Sequence, residues 1–184
     1  LISGLQWDDR EKAAYLLCHS SSYGDRIKLM PHKVFIPKEK DYLRRSAGYY
    51  ELDKPFVNKV LIEAIETQSD FIQCHIHPGN PAVFSPIDET EEHRFMKHIA
   101  DKIKGIYHGS LVFGNSLDTI DGWFYDRQNN TIVPIEKVIV VGKNNLETYV
   151  PPRSPLLCSK LTPSLDRTIK AFGEEAVKQL GLLD

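Results

Sequence analysis

Cysteine is scarce in this chain of 184 residues, and its three cysteines form no recognisable pattern. Cys18, Cys74 and Cys158 lie far apart, are odd in number and include no CxxC pair. Disulfide-rich secreted domains and thiolate zinc sites both depend on closely spaced or paired cysteines. The cysteine pattern therefore indicates neither kind of protein, and it favours the reducing cytoplasm as the location.

Long apolar runs and an excess of one charge are also absent. No apolar run approaches the roughly 20 residues that a helix needs to cross a bilayer. Charged residues make up 26% of the chain, and the formal net charge is −2. Such a balanced charge gives no electrostatic basis for binding nucleic acid or an anionic membrane, so we expect neither partner.

The chain is long enough for one domain with a full hydrophobic core and a modest appendage. Closely spaced prolines, at 151, 152, 155 and 163, mark a change in composition near residue 150. The stretch LDRTIKAFGEEAVKQLGLLD that follows has the pattern of one further helix. We therefore predict one domain over 1–150, and a Pro-rich linker with a helix over 151–184.

Hydrophobic periodicity predicts a chain of mixed α and β structure. Short apolar runs with β-branched and aromatic residues indicate strands at 11–19, 27–37, 71–77, 109–113, 119–126 and 131–142. Two helices are predicted, one from a cap at Asp53 to about Thr67 and one from Ser85 to about Lys104. Pro31 indicates an edge strand or a bulge, and the polar stretch 38–53 is interpreted as a surface loop. This order of elements predicts an α/β or α+β sheet layered with helices.

The stretch HIHPGNPAVFSPID, residues 75–88, carries the pattern most indicative of chemistry. Residues i and i+2 of a strand point to the same face, so His75 and His77 would present two imidazoles side by side. Asp88 follows in the first turn of the next helix, and a His/His/Asp set leaves a tetrahedral zinc with one open position, as in catalytic sites. Ser85 to Asp88 also read as an ordinary helix cap, and the two interpretations are compatible. The other five histidines are interpreted as ordinary surface or core residues: His19, His32, His93, His98 and His108.

The pattern of this stretch resembles the JAB/MPN (JAMM) metalloprotease family. The resemblance rests on H-x-H-P at 75–78, ten residues between the second histidine and the aspartate, and S-x-x-D at 85–88. It covers approximately residues 5–142, and it implies an α+β, three-layer-like fold in which a curved mixed β-sheet is flanked by helices. It also implies that His75, His77 and Asp88 bind one zinc ion, and that Ser85 helps to stabilise an oxyanion.

The family also uses a glutamate from an early strand to deprotonate the attacking water. Glu11, just before an apolar strand, matches this residue, and Glu51 in GYYELD is a rival. The activity that the resemblance implies is cleavage of a peptide or isopeptide bond after the C-terminus of a ubiquitin-like protein, as precursor processing or deconjugation. The alternative is a catalytically silent MPN-type scaffold in a ubiquitin-like conjugation system.

A second resemblance lies at the end of the chain. The stretch LDRTIKAFGEEAVKQLGLLD is similar to the segment that precedes the Gly-rich nucleotide loop of ThiF-like ubiquitin-activating enzymes. It implies the amino-terminal part of a bacterial JAB–ThiF fusion, whose partners would be a fused ThiF-like activating domain and a conjugating enzyme. A nucleobase deaminase, another class of zinc hydrolase, would need H-x-E and P-C-x-x-C motifs, and neither occurs.

Overall fold

The computed structural model of the chain describes residues 9–24, 26–79, 82–114, 119–143 and 146–151. The strands in these ranges are β1 Lys12–Tyr23, β2 Arg26–Phe35, β3 Tyr42–Ser46, β4 Tyr49–Leu52, β5 Asp70–Ile76, β6 Tyr107–Phe113, β7 Ile120–Asp126, β8 Thr131–Pro134, β9 Val138–Val141 and β10 Leu146–Tyr149. The helices are α1 Lys54–Glu66 and α2 Pro86–Lys102, with a 3₁₀ turn at Glu39–Asp41.

A six-stranded sheet with the order β2-β1-β5-β6-β7-β8 forms the centre of the molecule. β5 and β6 run parallel, and the other neighbouring strands are antiparallel. A parallel pair needs a crossover, and α2 supplies it. The register pairs Ala13 with His75, and His75 with Val112, so His75 lies on an interior strand. The expectation of an α+β chain with a mixed sheet is confirmed.

Alternate residues of the central strands pack into two separate cores, one on each face of the sheet. Both described helices pack against the first face, where Val60 of α1 and Met96 of α2 meet Phe71 and Val112. The second face is lined mainly by residues of β1, β5 and β6, and the β9–β10 hairpin packs on it through Val138 and Tyr149. Within the described residues, the layer on the second face is therefore a β-hairpin and not a helix.

Pro31 in β2 lies in an edge strand and at a bulge, the two positions that the sequence indicates for it. β2 is an edge strand of the central sheet, and the register between β1 and β2 shifts between Leu17 and Cys18, which pair with Lys33 and Pro31. Proline has no backbone N–H to donate to a ladder, so it is tolerated at an edge or at a bulge. Both expectations about Pro31 are confirmed.

The prediction of a surface loop over 38–53 is wrong. β3 and β4 form an antiparallel hairpin within this stretch. The Tyr42 hydroxyl accepts a hydrogen bond from the Ala13 backbone N–H (3.1 Å), and the Arg45 guanidinium lies 4.9 Å from the centre of the Tyr42 ring. The hairpin is thus held by a contact to a distant part of the chain, which the local polarity of 38–53 does not reveal. The Ser46 carbonyl at its turn accepts a hydrogen bond from the Glu11 backbone N–H (2.8 Å), which places the hairpin beside Glu11.

The segment 131–142, predicted as one strand, is two strands in different sheets. β8 ends at Pro134, and the backbone N–H of Ile135 donates to the Gly122 carbonyl (2.9 Å) before the chain leaves the central sheet. β9 then pairs with β10, a strand that the sequence did not predict. Apolar residues continue across the break, because Ile132 of β8 packs against the first core and Val138 of β9 packs against the second.

The two predicted helices are confirmed, with bounds that differ by one or two residues. Asp53 caps α1 by accepting a hydrogen bond from the Phe56 backbone N–H (2.9 Å). Neither described helix is long and apolar enough to span a membrane. The predicted linker and helix beyond Pro151 lie outside the described residues.

His108 on β6 is a buried structural histidine with a defined tautomer. Its Nδ1 accepts a hydrogen bond from the Phe71 backbone N–H (3.2 Å), so its Nε2 carries the hydrogen and donates to the Gly105 carbonyl (2.9 Å). Burial lowers the pKa of His108, because the charged form loses its hydration. The sequence interpretation of His108 as a core histidine agrees with this geometry.

Protonation of His108 is expected to destabilise the protein in mild acid. Because its folded pKa is depressed, its contribution to stability is complete above the unfolded value of about 6.5 and is lost as the pH falls below it. We expect His108→Gln to cost about 1–3 kcal/mol at neutral pH, since the amide differs in shape from the ring and should lose one of its two buried hydrogen bonds, to the Phe71 N–H or to the Gly105 carbonyl. Between about pH 5 and 7.5, the unfolding free energy of this variant should change less with pH than that of the wild type. Urea unfolding at several pH values measures both, with exposed His98→Gln as the control; equal pH slopes would contradict the assignment.

Candidate metal centre

β5 brings His75 and His77 together at its carboxyl end. The strand lies between β1 and β6, and all of its side chains are buried. His77 follows directly after the strand, and its backbone N–H donates to the Phe113 carbonyl (3.0 Å), which holds it against β6. The turn that follows contains Gly79 with φ of +73°, a conformation that glycine adopts without strain. The Nε2 atoms of the two histidines are 3.0 Å apart.

The first turn of α2 adds a carboxylate to the histidine pair. The Ser85 hydroxyl oxygen accepts a hydrogen bond from the Asp88 backbone N–H (3.2 Å), and Asp88 Oδ2 accepts one from the Ser85 backbone N–H (2.9 Å). This capping box fixes the Asp88 side chain, whose Oδ2 lies 3.7 Å from His77 Nε2. The predicted helix cap is therefore present, and the same cap holds Asp88 near His77, where it could be a metal ligand.

The three side chains can hold a metal ion. One potential ligand atom from each of His75, His77 and Asp88 lies within 4.8 Å of the others. Tetrahedral zinc with Zn–N distances of about 2.0–2.1 Å places two ligand nitrogens about 3.3 Å apart, close to the separation of 3.0 Å found here. The two histidines are buried, whereas the Asp88 side chain is 31% exposed, so the site is open to solvent on the side of α2.

The charges around the site also favour a cation. Glu11 Oε1 lies 4.0 Å from His77 Nε2, and Glu92 Oε1 lies 3.3 Å from His75 Nδ1. With Asp88, three carboxyl groups thus surround two imidazoles. Burial raises the pKa of Glu11 to about 7; the charge of His75 lowers it in part, while Asp88 and Glu92 raise it further. A divalent cation between these groups would offset the repulsion among the carboxylates.

No family model matches the chain, and no curated protein is significantly similar to it.

The two histidines differ in their protonation. Burial lowers the pKa of His75, but the contact with Glu92 and the charges of Asp88 and Glu11 outweigh it, so that the pKa is raised overall. The pKa of His77 is lowered by burial and by the neighbouring charge of His75. In the metal-free protein His75 is therefore the histidine that carries a proton more readily.

The two candidate glutamates occupy different surroundings. Glu11 lies immediately before β1, buried beside His77. Glu51 lies on β4, half-buried, where its carboxylate accepts a hydrogen bond from the Tyr49 hydroxyl (3.4 Å). Within the described residues, only Glu11 of these two makes an ion-pair contact with a candidate ligand.

Sequence reasoning missed the groups behind His75. Glu92 is buried, and it receives a hydrogen bond from the Gln73 side-chain amide (3.2 Å), which also donates to the Tyr50 hydroxyl (2.9 Å). One signal was present in the sequence, because Glu92 stands four residues after Asp88 and so lies on the same helix face. The contribution of Tyr50 could not be found, since β4 was interpreted as loop.

Proposed function

We propose that this chain is a zinc-dependent peptidase or isopeptidase of the JAB/MPN (JAMM) type, which cleaves after the C-terminus of a ubiquitin-like protein. One observation carries the chemistry: His75, His77 and Asp88 converge on one point with Glu11 beside them, 4.0 Å from His77. Three ligands and an adjacent carboxyl group are the parts that hydrolysis by a zinc-activated water requires. The choice of substrate rests on the resemblance of the H-x-H-P and S-x-x-D pattern to the JAMM family.

Bound zinc would act as a Lewis acid on the scissile carbonyl and would lower the pKa of a water to about 7. Glu11 would accept the proton of the attacking water and deliver it to the leaving amine. The products are a free carboxylate on the ubiquitin-like protein and a free amine on the other fragment. In the metal-free protein burial raises the pKa of Glu11 to about 7. A bound cation would favour its carboxylate form, which is the form that accepts a proton.

Ser85 would stabilise the oxyanion that forms on the scissile carbonyl. Its oxygen accepts a hydrogen bond from the Asp88 backbone N–H, so its hydroxyl hydrogen can point toward the substrate. Removing one oxyanion donor in other hydrolases typically lowers kcat about 10²–10³-fold. The cap also ties Ser85 rigidly to a metal ligand, which suits a group that must be positioned before the reaction.

The β3–β4 hairpin is the surface where we propose that the substrate tail binds. Its turn adjoins Glu11 through the hydrogen bond from the Glu11 N–H to the Ser46 carbonyl (2.8 Å), and β3 and β4 form a separate two-stranded sheet. An extended C-terminal tail can pair with such an exposed strand edge by main-chain hydrogen bonds.

A fused ThiF-like activating domain and a conjugating enzyme are the partners that we propose for the chain, in the cytoplasm.

The proposal predicts one zinc ion per chain and cleavage that depends on it. Zinc content is measured after metal loading, and cleavage is followed by mass spectrometry on two probes: ubiquitin fused linearly to a reporter protein, and ubiquitin joined to a lysine side chain. A panel of ubiquitin-like proteins ending in Gly-Gly extends the test to other substrates. Cleavage after the terminal glycine that a chelator abolishes and zinc restores would support the proposal and identify the bond.

Failure of the chain to bind zinc while correctly folded would overturn the proposal. Stoichiometric zinc without cleavage of any probe would favour the alternative, an MPN-type scaffold, which would then be sought through binding to the same ubiquitin-like proteins. As a control, a ThiF-like domain is added as a separate protein. Cleavage that appears only after this addition would show that the isolated chain is inhibited until a partner binds.

A further inference from the structure

Glu92 is a buried acid that the proposed reaction does not use. Its side chain is 9% exposed, and one of its oxygens, Oε1, lies 3.3 Å from His75 Nδ1. Among the described residues, His75 Nδ1 and Glu92 Oε2 are both buried atoms without a regular hydrogen bond. His75 Nδ1 and Glu92 Oε1 thus lie within hydrogen-bonding distance of each other but outside regular hydrogen-bond geometry, while Glu92 Oε2 has no partner among the described residues.

Burial of the Glu92 carboxylate costs free energy unless a neighbouring group interacts with it. Removing a carboxylate from water requires a partner that compensates for its lost hydration. Asp88 lies one helical turn before Glu92, and two like charges at this spacing repel each other. His75 is the basic group that Glu92 faces, and Gln73 directs the carboxylate by donating a hydrogen bond to Oε1 (3.2 Å).

We propose that Glu92 is a positioning residue for the metal centre: it holds the hydrogen of His75 on Nδ1, so that the Nε2 lone pair points at the metal. The two nitrogens of a neutral imidazole have opposite roles, and a partner on one of them decides which is left to bind metal. A carboxylate in this place also makes the other nitrogen a stronger ligand. This inference depends on the proposed function in one respect only, which is that the metal is zinc.

A row of side chains connects this arrangement to the β3–β4 hairpin. Gln73 donates both to Glu92 and to the Tyr50 hydroxyl on β4 (2.9 Å), and Tyr50 is itself 6.4 Å from the His75 ring, centre to centre. The hairpin beside Glu11 and the carboxylate behind His75 are thus joined by one hydrogen-bonded amide. The orientation of His75 consequently depends on residues from β4, β5 and α2 together.

Zinc affinity tests the inference directly. We expect Glu92→Ala to weaken zinc binding about 10–100-fold, measured with zinc alone in competition with a fluorescent chelator. Glu92→Gln keeps an acceptor of the same shape and should recover part of this loss. Glu91→Ala is the matched control, because the neighbouring Glu91 is exposed and pairs with Arg94, and it should leave the affinity unchanged.

The tautomer of His75 gives a readout that needs neither metal nor activity. In ¹⁵N NMR spectra of the metal-free protein in alkaline buffer, the wild-type His75 ring should carry its hydrogen on Nδ1, and Glu92→Ala should shift it toward Nε2. A wild-type hydrogen on Nε2, or a zinc affinity unchanged in a folded Glu92→Ala, would overturn the inference while leaving the peptidase proposal intact. If the wild type binds no zinc, the peptidase proposal fails, and the NMR measurement still decides the tautomer.

Discussion

Replacement of Glu11 by glutamine is expected to lower kcat for cleavage by about 10²–10⁴-fold, the usual contribution of a general acid–base group. Glutamine has the shape of glutamate but cannot accept the proton of the attacking water. The zinc content should stay at one ion per chain, because Glu11 is not one of the three converging ligands. We therefore expect this variant to bind one zinc ion per chain and to show little cleavage activity.

The stability of Glu11→Gln gives a second measurement. Burial raises the pKa of Glu11 to about 7, so the folded metal-free protein disfavours the charged form. A carboxyl group with a raised pKa loses stabilising effect as the pH rises from its unfolded value through its folded one. The neutral glutamine avoids this loss, so the metal-free variant should be at least as stable as the wild type at pH 7 and above in urea unfolding.

Glu51→Gln is the matched control for the catalytic assignment, since Glu51 was the rival glutamate. We expect its kcat to stay within about threefold of the wild type, because its carboxylate contacts Tyr49 instead of a candidate ligand. A large loss in Glu51→Gln together with normal cleavage by Glu11→Gln would transfer the role of general base to Glu51.

Replacement of His77 by alanine is expected to remove both zinc and activity. Structural zinc sites in proteins bind with roughly 10–16 kcal/mol, so loss of one of three ligands should weaken binding by about 10²–10⁴-fold. Without the metal, cleavage should fall below detection, because no other described group replaces a Lewis acid. The measurements are zinc content, affinity by chelator competition, and cleavage of the same fusion probes.

Thermal unfolding separates metal loss from misfolding in His77→Ala. A ligand that binds only the folded state stabilises it by about 2.7 kcal/mol at a free concentration of 100 times Kd. Added zinc should therefore raise the unfolding temperature of the wild type and leave that of His77→Ala unchanged. His98→Ala, an exposed histidine on α2, is the control and should respond like the wild type. A normal zinc response in His77→Ala would contradict the ligand assignment.

The candidate ligands could be predicted from sequence because their geometry is local. A strand places His75 and His77 side by side, and a capped helix start fixes Asp88 relative to Ser85; both are short-range consequences of backbone geometry. The same reasoning located α1, α2 and five strands of the central sheet, and it found the sixth, β8, only as the first part of a longer run. It also placed Pro31 at an edge strand or a bulge, since proline lacks a backbone donor.

Other features depend on contacts between distant segments, and local patterns did not reveal them. The hairpin Tyr42–Leu52 looks polar in sequence, yet Tyr42 bonds to β1, and Tyr50 packs toward His75. The segment 131–142 reads as one apolar strand, but Pro134 ends its pairing with β7. A propensity scale describes one strand at a time, whereas these elements exist because of what lies across from them.

The amino-acid sequence by itself determined the candidate ligands, their spacing and the two capped helices, because these follow from backbone geometry over a few residues. Only the tertiary structure decided which acid lies beside His77 and which lies behind His75. Glu11 and His77 are separated by 66 positions, and the antiparallel register of β1 and β5 brings them together. Such a register is selected by the burial of both sheet faces at once, a property of the whole packed molecule and not of any segment.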